Sequence, residues 1–466
     1  MAADASTTGE SQGLDAQAKR DMRKVALASL AGTSIEWYDF FLYGTAAALI
    51  FPNAFFSAET PEGVRLILSF LTFAAGFLAR PIGGVIFGHF GDSIGRKRTL
   101  VIALVMMGVG STLIGLLPTY ALIGVAAPIL LVLLRFIQGL AIGGQWGGAM
   151  LLVTENAPAN QRGYWGAYAQ AGALVGLIIA NLAFLGLSNA MSDAAFTSWG
   201  WRLPFLASIA LIGVSMYIQL KLEDTPAFKA LQARAAGHKG EDVMPPGEAF
   251  EKVAAEKPKG PSPILEALRL YPGRIGLAAG AFLSIQVTFY IMVAFVIAYG
   301  TSADGPGLSR NTVLAAVLIA SAIQIPTQFW ASAFSDKHGR RGIYMVGAAL
   351  SGVWAFAVFP LIDTGNFYLI TLAILVGFVL LGMQYGPQAA FFTELFSTHV
   401  RYSGASLGYQ IGAILGGALA PTFAVALWTN FGVMYVAAYM ALAAALTVLS
   451  VLMLTETKGA DLETAS

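Results

Sequence analysis

Four ionisable side chains stand inside otherwise apolar stretches of this sequence: Glu36, Asp39, Arg80 and Arg135. At the centre of a membrane helix each such charge costs about 2.5–3.5 kcal/mol. Groups held at that cost need partners or water, and two acids with two bases allow two ion pairs. Glu36, Asp39 and Tyr43 fall at i, i+3 and i+7, so they share one helix face, and that face is expected to line a cavity. Arg80 or Arg135 can hold a carboxylate through a bidentate guanidinium contact. Gln324, at an offset of 244 residues from Arg80, is its uncharged counterpart in the second half of the chain, so the buried charge is concentrated in the first half.

Neutral polar and aromatic residues in apolar stretches form a second set. Gln138, Gln145, Trp146, Gln286, Tyr290, Trp330, Gln384, Tyr385 and Gln388 are the recognition candidates, with Gln170, Asn181, Gln324, Gln328, Tyr409 and Gln410 beside them. Amides inside a membrane need partners and seldom face lipid, so each serves either a solute or a helix contact. Pro387, between Tyr385 and Gln388, frees a backbone carbonyl and permits a kink. Trp37, Trp146 and Trp330 offer faces for a hydroxylated ring or a quaternary ammonium.

The elements that position these groups follow from composition. The 466 residues are 57% hydrophobic and only 11% charged, against about 25% charged in a soluble domain. Twelve apolar stretches, each of roughly 17–28 residues, are long enough to cross about 30 Å of hydrocarbon. Backbone groups in lipid must pair internally, and stretches this long and uniform predict helices rather than barrel strands. The expected fold is an all-α membrane protein. Net charge is +1, so no nucleic-acid partner is expected. There is no cysteine, and His89, His238, His338 and His399 lack metal-ligand spacing. No phosphate-cradling Gly-x-x-x-x-Gly-Lys-Ser/Thr and no catalytic triad stands out, so neither an enzyme nor a bound cofactor is expected.

Lysine and arginine set the topology. Outside the apolar stretches, the odd-numbered connections offer only Arg65, Arg202 and Arg310, whereas the tails and even-numbered connections carry all the others, which places both termini in the cytoplasm. The expected layout is a tail over 1–24, a six-helix bundle over 25–221, a cytoplasmic linker over 222–273, a second six-helix bundle over 274–454 and a short tail over 455–466. The two bundles repeat. Gly91-Asp92-Ser93-Ile94-Gly95-Arg96-Lys97 matches Ser335-Asp336-Lys337-His338-Gly339-Arg340-Arg341 at the same offset of 244, and Glu155–Arg162 matches Glu394–Arg401 in spacing. Matched charged motifs at matched places imply duplicated halves, with a site near midplane between them. Asp92, Arg96, Arg98, Glu155, Arg162, Asp336, Arg340, Glu394 and Arg401 are expected to form a cytoplasmic latch between the halves. Asp92 is a further candidate to cap a helix N-terminus of the other half.

Gly88-His89-Phe90-Gly91-Asp92-Ser93-Ile94-Gly95-Arg96-Lys97-Arg98 resembles the loop signature of the major facilitator superfamily. Gly32-Thr33-Ser34-Ile35-Glu36-Trp37-Tyr38-Asp39-Phe40-Phe41-Leu42-Tyr43-Gly44, Arg80-Pro81-Ile82-Gly83-Gly84, Arg135-Phe136-Ile137-Gln138-Gly139-Leu140, Gly143-Gly144-Gln145-Trp146-Gly147-Gly148 and Leu222-Glu223-Asp224-Thr225-Pro226-Ala227-Phe228 resemble its metabolite:proton symporter family. The resemblance implies two pseudo-symmetric six-helix bundles in a bacterial inner membrane, working as a monomer by alternating access on a small solute and a proton. It implies that Asp39 carries the coupling proton, with Glu36 beside it, and that Arg135 pairs with Asp39 and tunes its affinity. The branch most similar in the first helix handles shikimate; symport of a zwitterion such as proline or glycine betaine is the alternative. A membrane sensor without transport is the third reading, and no soluble output domain is evident in the sequence. Gln145 departs from the family, whose members often have glutamate there.

Overall fold

The computed structural model of the chain describes residues 4–94, 96–143, 153, 157, 159–223, 268–396 and 401–458, and among these the long regular elements are all helices. Numbered in chain order, the first half holds α1 (Asp4–Leu49), α2 (Glu62–Ile94), α3 (Arg96–Leu116), α4 (Ala126–Gly143), α5 (Arg162–Ala190) and α6 (Arg202–Glu223). The second holds α7 (Pro272–Thr301), α8 (Arg310–His338), α9 (Arg340–Asp363), α10 (Phe367–Glu394), α11 (Gly404–Phe431) and α12 (Val433–Met453). Among the described residues, nine of these are long and apolar enough to span on their own. The others are α1, which extends back into the polar N-terminal stretch as far as Asp4, α3, whose apolar part is Val101–Leu116, and α6, which spans together with a preceding turn bent by 49°.

The packing repeats as the sequence does. In the first half α1 lies on α5, α2 on α4 and α3 on α6; in the second, α7 lies on α11, α8 on α10 and α9 on α12. The halves meet where α5 packs against α8 and α10, and where α2 packs against α11.

Small residues set these distances, as expected where lipid supplies no hydrophobic drive between helices. A Cβ on Gly139 would collide with the carbonyl oxygen of Gly76, one on Gly83 with that of Leu140, and one on Gly143 with that of Arg80, so α2 and α4 touch backbone to backbone. In the second half a Cβ on Gly386 would lie 2.5 Å from the Gln328 carbonyl oxygen, at the matching contact of α10 with α8. Gly172 and Gly176 let α5 close on α1, and Gly408, Gly412 and Gly416 let α11 close on α7. Two π-helical segments, Ile291–Phe295 in α7 and Ala413–Ala418 in α11, widen these helices where they face the centre of the molecule.

The α2–α4 seam yields a stability prediction. Gly139→Val is expected to lower the thermal midpoint of the detergent-solubilised protein, from an overpacking cost of at least about 1–3 kcal/mol. Gly186→Ala, where no atom lies within 4 Å of the added Cβ, is expected to leave it unchanged. Equal midpoints for the two variants contradict the backbone contact.

Candidate functional site

The centre of the molecule holds a small cavity between the halves. Trp37 and Phe41 of α1 and Leu174 of α5 face Gln286, Phe289 and Tyr290 of α7, with Gln324 of α8, Tyr385 of α10 and Tyr409 of α11 completing the wall. The space open to the centre of a water molecule is about 20 Å³, room for one or two waters. Among the described residues, no charged side chain lines it.

Arg80 stands just behind this wall. It is 3% exposed, and its guanidinium carbon lies 5.6 Å from the Trp37 ring centroid, 4.5 Å from Phe40 and 4.4 Å from Phe77. The phenols of Tyr290 and Tyr409 are within its electrostatic range. Its Nε and one Nη have no hydrogen-bond partner, and no ion pair to it is present among the described residues. The rings give the cation a favourable quadrupole but no acceptor. A buried guanidinium normally finds a carboxylate, a phosphate or several carbonyls; this one has unfilled donors next to a cavity.

Asp39 and Arg135 form a second layer. Asp39 is 3% exposed, accepts a hydrogen bond from Ser208 Oγ on Oδ1, and leaves Oδ2 without a donor. Arg135 is 1% exposed and stacks over Tyr43 at 4.2 Å, Phe40 at 4.5 Å and Phe73 at 5.0 Å. Its Nη1 donates to Gln138 Oε1 at 3.2 Å, and Gln138 Nε2 donates to Ser111 Oγ at 2.6 Å. Ser111 is also a near neighbour of the Asp39 carboxyl. The expected direct pair of Asp39 with Arg135 is therefore not made. A relay through Gln138 and Ser111 lies between them, because the guanidinium is drawn onto the faces of Phe40, Tyr43 and Phe73.

Other expected site residues separate into groups. Gln286, Tyr290 and Tyr385 line the cavity. Tyr43 does not: its hydroxyl donates to Thr72 Oγ1 at 2.6 Å, under Arg135. Glu36 is half-buried on α1 and is engaged in contacts of its own. Gln384 donates to Ser351 Oγ at 3.0 Å and ties α10 to α9. Gln388 accepts from Gln170 Nε2 at 2.9 Å and ties α10 to α5 across the halves. Trp330 is corrected outright: it is 56% exposed on the outer surface and packs on Phe334, since its neighbours Gln328 and Ala331 take the inward face of α8. Gln145, Trp146 and Glu155 lie outside the described residues, as do the side chains of Asp92, Arg96, Arg98 and Arg401.

Both ends of the bundle are bridged. At the Arg340 end, Asp336 of α8 accepts the backbone N–H groups of Gly163 and Tyr164, each at 3.0 Å, and so caps α5 of the other half. Arg340 holds that carboxylate with Nη1 and forks onto Glu394 through Nε at 3.3 Å and Nη2 at 3.2 Å. Gln328 donates to the Ala167 carbonyl at 3.1 Å across the same seam. Arg162 is half-buried and engaged nearby. At the opposite end, Ser302 Oγ donates to Glu62 at 3.1 Å, Arg310 pairs with Asp193 at 2.7 Å, and Asn311 donates to Asn189 at 2.7 Å. Among the described residues, both seams between the halves are therefore bridged.

The sequence reading missed several of these partners. Ser111, Ser208 and Asn189 carry no signal beyond being polar in apolar surroundings. Glu456 follows the last span and accepts the N–H groups of Arg340 at 2.8 Å and Arg341 at 3.0 Å, while Thr457 Oγ1 donates to Glu394 at 2.7 Å. Burial would raise the Glu456 carboxyl, but hydrogen bonds from the backbone of Arg340, Arg341, Lys458 and Thr457 outweigh it and hold it below its ordinary range. The cap is therefore in place at neutral pH and is lost only as pH falls through that lowered value. Gly339, at φ 102°, makes the turn that exposes those N–H groups, and a Cβ there would lie 2.8 Å from Glu456 Oε2.

The chain matches the model of the family described as Sugar (and other) transporter over residues 24–466. It is 41% identical to the inner membrane metabolite transport protein YhjE of Escherichia coli (strain K12) over 441 residues, 93% of this chain and 94% of that protein. It is 38% identical to the shikimate transporter of the same organism over 413 residues, 88% of each. Among solved structures, the xylose transporter XylE of E. coli, a major facilitator superfamily protein, superposes with a TM-score of 0.68 at 18% identity, covering 94% of this chain and 99% of that one. Two six-helix halves, matched charged connections and a central cavity agree with that kinship: the chain belongs to the Sugar (and other) transporter family, and it is a multi-pass membrane transporter, not an enzyme.

Proposed function

We propose that this transporter is a proton-coupled symporter that takes up a small organic acid, shikimate or a related carboxylate, by alternating access. It works as a monomer in the bacterial inner membrane with both termini in the cytoplasm. The observation that carries this reading is Arg80, a buried cation with two unfilled donor atoms and no ion pair among the described residues, one ring behind the central cavity. A solute carboxylate reaching it past Trp37 supplies both the missing acceptors and the missing negative charge. The similarity to a shikimate transporter supports the same solute class. The aromatic faces argue against the zwitterionic osmolyte, because Trp37, Phe40 and Phe77 already attend a cation of the protein itself.

Asp39 is proposed to carry the proton. Its Oδ2 lacks a donor in a buried setting, which leaves that oxygen open to take up a proton. Ser208 positions it, and Arg135 acts on it through Gln138 and Ser111 rather than by contact. Glu36 remains a second acid on the same helix. Gln286, Gln324, Tyr290, Tyr385 and Tyr409 are proposed to read the uncharged part of the solute. The Asp336–Arg340–Glu394 cluster is proposed as the cytoplasmic gate, its N–H-capping carboxylate clasping α5 while the carrier is closed on that side.

Three outcomes are expected in proteoliposomes. Arg80→Gln lowers kcat/KM for a monocarboxylate at least a hundredfold, about the 3 kcal/mol that a charge-assisted contact supplies; an unchanged value ends the assignment. Asp39→Asn abolishes uphill accumulation driven by a pH gradient but retains solute exchange, and full accumulation in that variant rejects Asp39 as the proton carrier. The third uses the absence of native cysteine. Ala169→Cys, buried at the α5–α10 contact, is labelled by a water-soluble thiol reagent at least tenfold faster when Asp336→Asn is added, because weakening the closed gate by about 1.4 kcal/mol shifts its population tenfold. Asp193→Asn, at the opposite end, does not accelerate labelling; equal acceleration by both changes argues against a gate at Asp336.

A further inference from the structure

Asp39, Arg80 and Arg135 are arranged around a single ring. The guanidinium carbons of Arg80 and Arg135 each lie 4.5 Å from the Phe40 ring centroid, and Asp39 is its chain neighbour. Of the charged side chains, guanidinium groups give up a proton least readily. Asp39 is therefore the group here that changes charge by taking a proton, and Arg80, nearer the cavity, is the group that a mobile anion can reach. Among the described residues, the elements packed around Asp39 add no second switch: α3 brings Ser111, α6 brings Ser208, α2 and α4 bring the two arginines, and α7 brings the neutral phenol of Tyr290. Glu36 lies nearly one turn away, half-buried among its own partners.

We infer that one transport cycle moves one carboxylate group together with one proton, so that the substrate is a monoanion and transport is electroneutral. This rests on the symport reading above and adds a charge count to it. Counted as formal charges over Arg80, Arg135, Glu36 and Asp39, the empty site with Asp39 ionised and the loaded site with Asp39 protonated and a carboxylate on Arg80 are both neutral. The proton enters from water on one side onto Asp39 and leaves to water on the other. A site holding the proton alone is one unit more positive, and a site holding the anion alone one unit more negative. An uncompensated unit charge at mid-membrane disfavours a state by about a hundredfold. The half-loaded forms therefore rarely close and cross, which couples the two fluxes tightly. A dicarboxylate brings a second charge that, among the described residues, neither the cavity wall, which has no charged residue, nor a second proton site neutralises.

The test uses the full-length protein in proteoliposomes, with labelled monocarboxylates including shikimate, matched dicarboxylates and glycine betaine. With the potential clamped at zero, an inside-alkaline gradient of one pH unit is expected to accumulate a monocarboxylate about tenfold. Adding an inside-negative potential of about 60 mV changes that accumulation less than twofold, and dicarboxylates do not accumulate. A potential-driven change of about tenfold means that one net charge moves and overturns the inference while leaving symport intact, as does accumulation of a dicarboxylate. Failure of the pH gradient to accumulate either kind of acid overturns the symport reading and the charge count with it, and accumulation of betaine alone overturns the organic-acid substrate and the charge count while leaving symport intact.

Discussion

Charge in a medium of low polarity must be answered locally, and the centre of this molecule is built around charges that are answered only in part. Arg80 and Arg135 sit among rings that favour cations but cannot accept hydrogen bonds. Asp39 is near enough to matter to Arg135 without meeting it. In a protein selected for stability alone, three such groups would be paired or replaced by apolar side chains of similar volume. Their retention in an unsatisfied arrangement is what gives the central cavity its proposed chemistry: the missing partners are supplied by what passes through.

The opposite treatment of charge occurs at the ends. Arg340 is as buried as Arg135, yet every side of its guanidinium is occupied, by Asp336, Ser335 and Glu394. Asp336 in turn spends both oxygens on the N-terminus of α5 in the other half. A fully satisfied cluster is stiff and breaks as a unit, whereas among the described residues the seam at the opposite end has one ion pair, with the Asp193 carboxylate exposed, and two amide or hydroxyl contacts, and pairs open to solvent contribute little. The asymmetry between a buried clasp and a lighter one is a physical basis for preferring closure at the Arg340 end.

Movement between such states needs helices that remain in contact while they shift. Glycines at the α1–α5, α2–α4, α7–α11 and α8–α10 contacts bring backbones together without interlocking side chains. Each half can then tilt as a body while its internal seams persist, and the π-helical segments of α7 and α11 begin just after the cavity-lining Tyr290 and Tyr409.

Much of the architecture was legible in the chain itself. Twelve apolar stretches, the lysine and arginine distribution and the offset of 244 residues between charged motifs required helices in two repeated bundles, because lipid leaves no other way to satisfy the backbone. The intramembrane positions of Asp39, Arg80 and Arg135 were legible for the same reason: charge in an apolar run is conspicuous and costly. What those charges face was decided only by the fold. Arg135 turned to Phe40, Tyr43 and Phe73 instead of Asp39, Trp330 turned to the outer surface, and Tyr43 went beneath an arginine rather than into the cavity. Asp336 reached the amides of another helix, and Glu456 returned from beyond the last span to cap α9. Hydropathy reports how deep a residue lies, since depth sets its solvation energy; its azimuth and its partner depend on how helices distant in sequence rotate against one another, and that is settled by packing.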